Sequence, residues 1–386
     1  MSRIERILIW SVDPRVPTAY GQQCGLLALE LRKLGHEVSI GAIGQKAKDR
    51  GKPWKSIPVR FVGGHGTHGS DVLAAEVARC KADLVLLLLD SFMVDAHVIA
   101  SLGCKVASWC PVDAFNMTDG GLPVLYRGML KIAPKMVPIA MSRFGERMFR
   151  HDGFEPLYVP HMIDVSVFRP RADRDLIRAG YGIDPDQFVI TMCAANSERF
   201  RKNFPGQFDA FRRAAQDNWL LLVHSYLRPD QDGWDLEDLA ARFGIADKVR
   251  FADPDRIKAG AYTPSGLAAW YNLGDLHTQC TLAEGFGIPL IEAQACGTPV
   301  IATAGSAMSE LVGSGWKIPG EPIMNPGQRA EWVLPLRALI AETYAHAARM
   351  DLADLREEAR EFALDFSVET VMAEYWKPAL EALEER

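Results

Sequence analysis

A chain of 386 residues, 48% hydrophobic and 24% charged, is too long for one comfortable core, and two domains of a globular enzyme are the expectation. Seven scattered cysteines without a Cys-x-x-Cys pair argue for a reducing compartment and against a disulfide framework or a zinc site. The opening MSRIERILIW carries no signal-peptide core, and the longest strongly apolar run, Leu84–Leu89, is far too short to cross a bilayer, so the expected location is cytoplasmic.

Charge is uneven along the chain. Residues 1–170 carry 21 Lys and Arg against 16 Asp and Glu, and the remainder carries 22 against 33. Residues 46–60 hold six basic side chains and one acid, a stretch that suits an anionic surface or acceptor, or is simply a solvated loop.

In chain order, Ile7–Trp10 reads as a strand, followed by a loop to Gly21 and an amphipathic helix over 22–34. Gly35 stops that helix, and the next strand begins near Val38. Further strands are expected at 84–89, 106–109 and 138–141. The second half restarts the rhythm at 188–193, 219–224, 249–251, 276–279 and 300–302, with helices at 204–215 and 236–243. Such alternation predicts two Rossmann-like α/β domains, each a parallel sheet covered on both faces. The Pro-rich, polar character of 158–170 fits a linker, with the joint expected near Val167–Arg171, and the chain from Asp351 onward is helical, with 11 acids against four bases.

The most informative stretch runs from Ala283 to Ile301, AEGFGIPLIEAQACGTPVI. Pro289 suits a first helical turn, and Gly297 before Thr298-Pro299 marks the stop. The short helix between them points its first amides at the Gly285-Phe286-Gly287-Ile288 loop, an arrangement that attracts a phosphate. Glu292 should lean back toward the same spot, because helical side chains tilt toward the N-terminus. Two acceptor-only carboxylates, Glu284 and Glu292, suit hydroxyls rather than the phosphate itself. A diphosphate flanked by hydroxyl-rich groups describes a nucleotide sugar.

That stretch resembles the Glu-x7-Glu motif of the retaining glycosyltransferases of family 4, which have the GT-B fold of two Rossmann-like domains facing across a cleft. The resemblance implies that Glu284 meets the donor sugar, that Glu292 meets the ribose, and that the amides of Phe286–Ile288 hold sugar and phosphates. It implies an N-terminal acceptor domain over 1–168, a nucleotide-sugar domain over 169–366, and a final helix over 367–386 that packs back on the first domain. The loop Ala194–Asn203 matches the family's basic loop at Lys202, but the family's Arg position is Asn196, leaving Arg199 or Arg201 to substitute. Gly21, in Pro17-Thr-Ala-Tyr-Gly21, is similar to the family's N-terminal glycine loop. Asp90 and Asp113 end strands of the first half, where either can orient an acceptor hydroxyl or cap structure.

The expected function is therefore metal-independent transfer, with retention, from a nucleotide diphosphate sugar to an acceptor that the sequence does not identify. Glu284, Lys202, Arg201 and Asp113 are the expected catalytic residues; Gly21, Asn196, Arg199, Arg201, Lys202, Glu284, Gly285, Phe286, Gly287, Ile288, Pro289 and Glu292 are the expected donor contacts. The alternatives are a nucleotide-sugar epimerase or sugar phosphorylase of the same fold, and a non-catalytic nucleotide-sugar-binding protein. No cofactor is expected.

Overall fold

A computed structural model describes residues 3–44, 49–63, 68–116, 118–197, 200–228, 233–325 and 329–386. It divides into two compact units, one formed by residues 1–162, 324–330 and 368–386, the other by 163–323 and 331–367.

The first unit runs β1 (Arg6–Val12), α1 (Ala19–Lys33), β2 (Glu37–Ile43), β3 (Val59–Gly63), α2 (Ser70–Cys80), β4 (Leu84–Leu88), α3 (Ala96–Ser101), β5 (Lys105–Cys110), β6 (Phe115–Asn116), α4 (Val124–Ile132), β7 (Val137–Ala140), α5 (Arg143–His151) and β8 (Leu157–Tyr158). Seven of these strands form one parallel sheet in the order β3-β2-β1-β4-β5-β7-β8. β4 is buried along its whole length, which explains its uninterrupted apolar sequence. α1 starts earlier than the expected 22, because Thr18 caps it by accepting the Gly21 amide at 3.2 Å. Residues 368–386 complete this unit as a helix with a π turn at Met372–Trp376, just before Pro378, which has no N–H for the ladder. Trp376 stands edge-on to Trp109 at 4.9 Å, and Glu384 accepts the Ile4 amide at 2.8 Å.

The second unit begins at Ile163, whose amide donates to Phe366. It continues through α6 (Arg174–Gly180), β9 (Phe188–Cys193), α7 (Phe204–Ala214), β10 (Trp219–His224), α8 (Leu236–Arg242), β11 (Val249–Phe251), α9 (Pro254–Ala259), α10 (Pro264–Leu273), β12 (Leu276–Gln279), α11 (Ile288–Ala295), β13 (Val300–Thr303) and β14 (Gly315–Ile318). β15 (Gly320–Asn325), β16 (Ala330–Pro335), α12 (Arg337–Ala347) and α13 (Ala353–Leu364) follow. The parallel sheet has the order β11-β10-β9-β12-β13-β14. Strand order reverses between β9 and β12, so the loops after these two strands diverge and open a crevice at their carboxyl ends. Among the described residues, no helix is long and apolar enough to cross a membrane.

Candidate donor site in the second unit

The two loops at this switch point are laced together before any charged side chain is considered. Leu282 donates its amide to Arg201 O at 2.8 Å, and Asn203 donates Nδ2 to Cys280 O at 2.9 Å. Asn203 holds φ 50°, a left-handed conformation that Asn tolerates better than most residues. Gln207, one turn into α7, donates to Lys202 O at 3.0 Å and accepts from Thr278 and the Cys280 amide at 2.8 and 3.0 Å. The backbone that carries Arg201 and Lys202 is thereby tied to the end of β12.

On this frame Glu284 is bound by two cations. Lys202 Nζ lies 2.7 Å from one carboxylate oxygen and Arg201 Nη1 lies 3.0 Å from the other. The Glu284 amide donates to Ser306 Oγ at 3.0 Å, which fixes the main chain behind the carboxylate. Burial works to raise the Glu284 pKa, but Lys202 and Arg201 outweigh it and hold the group below its usual value. The result is an ionised carboxylate between two cations, a cluster with one net positive charge.

Glu292 sits on α11 in the opposite environment. It is buried, and its partner is the Tyr271 hydroxyl, which donates to Oε2 at 2.9 Å. Burial pushes its pKa up to about 7, with the Tyr271 hydrogen bond acting against the rise. Between the two glutamates, Gly287 has φ 123°, a conformation that favours glycine, and it caps the start of α11 with Pro289 in the first turn. Gly285, Phe286 and Ile288 are buried along the same turn, while Pro289 is half-buried.

Asn196 has a different place from the one its position suggests. Its Nδ2 donates to Tyr226 O and Trp234 O at 2.8 and 2.7 Å, and its Oδ1 accepts the Trp234 amide at 2.9 Å. Both amide hydrogens and the carbonyl are committed to the backbone of the segment after β10. Arg199 lies outside the described residues, as do positions 46–48 of the basic 46–60 stretch.

Gly21 and Asp113 belong to the first unit. A Cβ on Gly21 would come within 2.3 Å of Val16 O and 2.8 Å of Asp13 O, so this glycine permits a tight approach of loop and helix. Asp113 follows β5 near Tyr20 and Tyr126, whose hydroxyls donate to Asp90 at 3.4 and 2.9 Å. Burial first, then the Asp90 charge, raises both phenols well above their usual values, so they stay protonated donors. Gln207, Tyr271 and Ser306 were not legible as site residues. A lone Gln or Tyr inside an apolar helical segment is the one signal the sequence offers for them. Among the described residues, no group of three or more His, Cys, Asp or Glu side chains is placed to hold a metal ion.

Residues 188–341 match the family described as "Glycosyl transferases group 1". A D-inositol 3-phosphate glycosyltransferase of Rhodococcus opacus is 31% identical over 236 residues, which is 58% of this chain and 48% of that protein. The chain spans about half the length of the curated relatives it matches. Among solved structures, sucrose-phosphate synthase from Thermosynechococcus elongatus superimposes with a TM-score of 0.75 at 17% identity, covering 99% of this chain and 100% of that one. HepE of Anabaena, solved with UDP-glucose, gives a TM-score of 0.68 at 16% identity over 97% and 99% of the two chains. At such identities the likeness is one of fold. Residues 188–341 thus form a glycosyl transferases group 1 domain, carried by a chain of GT-B fold.

Proposed function

We propose that this chain is a metal-independent retaining glycosyltransferase whose second unit holds a nucleotide diphosphate sugar. The observation that carries the reading is Glu284 gripped by Lys202 and Arg201 beside the first turn of α11. Glu284 accepts hydrogen bonds from the sugar hydroxyls, and Glu292 accepts them from the ribose. The diphosphate lies against the first amides of α11 and the two cations, which meet the charge that grows as the sugar leaves. The bond from the anomeric carbon to the phosphate oxygen breaks, and the bond to the acceptor oxygen forms on the same face. The acceptor's proton passes to the departing diphosphate, so no separate protein base is required. Arg201 and Lys202 supply the positive charge that a metal ion would otherwise bring to the diphosphate.

The names of the curated relatives make inositol 3-phosphate the first acceptor to offer, and the UDP-glucose bound by HepE makes UDP-sugars the first donors. The absence of disulfides among the described cysteines supports a cytoplasmic setting. The test is incubation with UDP-, GDP- and ADP-sugars and inositol 3-phosphate in the presence of a chelator, with the product's anomeric configuration read by NMR. Transfer with retention supports the reading. Inversion, or conversion of a nucleotide sugar with no acceptor present, overturns it.

A further inference from the structure

Behind Glu292 stands a side chain that the motif does not include. Tyr271, on the last turn of α10, is fully buried. Its hydroxyl donates to Glu292 Oε2 at 2.9 Å, and its carbonyl accepts from Thr298 Oγ1 at 3.0 Å. Thr298 immediately follows Gly297, the left-handed residue after α11. Tyr271 is therefore fastened at one end to the carboxylate and at the other to the turn that terminates the helix bearing it. Its ring stands edge-on to His277 at 5.2 Å within the core.

The second oxygen of Glu292 accepts no hydrogen bond among the described residues. A vicinal diol satisfies it, since it presents two O–H donors to one carboxylate.

We propose that Tyr271 is a positioning residue that locks Glu292 so that its remaining oxygen faces the ribose diol of the donor nucleotide. The proposal rests on the donor reading given above and adds the element that makes ribose recognition rigid. The other titratable groups facing Glu292 are Cys193 at the end of β9 and Cys296 after α11, both thiols pushed up by burial and hence neutral. Lys202 acts on Cys193 and Arg360 on Cys296. Nucleotide binding should accordingly weaken as pH falls through about 7, where Glu292 takes up its proton. Without the phenol, the same loss should begin at higher pH.

The test is calorimetric titration of wild type, Tyr271→Phe and Glu292→Gln with UDP, GDP and ADP, and with the 2′,3′-dideoxy form of whichever binds. Melting temperatures recorded alongside establish that each variant is folded. The expected result is that Tyr271→Phe weakens the ribonucleotide about tenfold, the scale of one lost charge-assisted hydrogen bond, and leaves the dideoxy form unchanged. Glu292→Gln should abolish the same discrimination, and in turnover Tyr271→Phe should raise the donor KM while leaving kcat within about twofold. Equal weakening of both nucleotides by Tyr271→Phe, or no weakening of either, would overturn the positioning role while leaving the donor site standing. Failure of wild type to bind any nucleotide would overturn the donor reading and this proposal with it.

Discussion

The two ends of the second unit's sheet carry charge clusters of similar composition in different settings. At the amino end, Asp275 receives Arg174, Arg178 and Arg356 at 2.6, 3.1 and 3.1 Å, beside a cavity of about 450 Å³. At the carboxyl end, Glu284 receives Lys202 and Arg201. The difference lies in which end of the strands each cluster occupies. Arg174 also binds Asn272 O and Gly274 O, Arg178 binds Leu273 O and Gln187 O, and Arg356 binds Gly297 O and Gly274 O. Those guanidiniums stitch α6 and α13 to the start of β12. The Glu284 cluster lies where strand order reverses and beside the start of a helix, the end of an α/β sheet that takes ligands. Strand direction separates the cluster that ties elements together from the one proposed to meet the donor, and cavity size does not.

That contrast can be broken most forcefully at Asp275. Asp275→Ala leaves three arginines facing one another, so it should cost about 3–5 kcal/mol of stability, read as a large drop in melting temperature. A melting temperature close to wild type would remove the structural assignment of this end. Lys202→Ala and Glu284→Ala should do the reverse, lowering kcat by about 10²–10³ while the protein still melts cooperatively. Near-normal turnover in either purified variant would sink their roles. Asn196→Arg comes next. Because Asn196 uses its whole amide on Tyr226 and Trp234, restoring the family's Arg should destabilise by about 1–3 kcal/mol and not tighten donor binding. Tighter binding with unchanged stability would show that the loop accepts the larger cation.

The smallest effect is one of pH. Glu292 has its folded pKa raised to about 7 from an ordinary 4.5, so the folded state holds the proton longer than the unfolded one. Its contribution favours folding most at low pH and is lost as pH rises from about 4.5 to 7. Glu284 has the opposite sign: its pKa is lowered, so its contribution is present above the ordinary carboxylate value and is lost as pH falls. Denaturant melts across pH 4–8 for wild type and Glu292→Gln check this. Superimposable curves would mean that Glu292 does not titrate in this range.

Much of the frame was legible because parallel strands buried on both faces are short apolar runs. β9 to β12 fall on the residues read from sequence, and α11 ends at the expected glycine. β3 and β14 to β16 escaped notice because VRFVG, GWKI, GEPIMN and AEWVLP are interrupted by charges, Gly or Pro and lack such a run. The motif glutamates could be found in sequence, but their environments could not. Lys202 and Arg201 lie 82 and 83 positions from Glu284, and Tyr271 lies 21 from Glu292. Asn196 read as a missing arginine because its three backbone partners, 30 and 38 positions away, leave no mark on a linear pattern.

The most direct test of the account is titration of UDP-, GDP- and ADP-sugars into wild type and Lys202→Ala by calorimetry, without metal. The account predicts that one nucleotide sugar binds wild type and loses at least tenfold in affinity in the variant, because a cation at the diphosphate has been removed. Equal binding by both proteins, or binding of none of the three by wild type, would contradict a donor site at the carboxyl end of the second sheet.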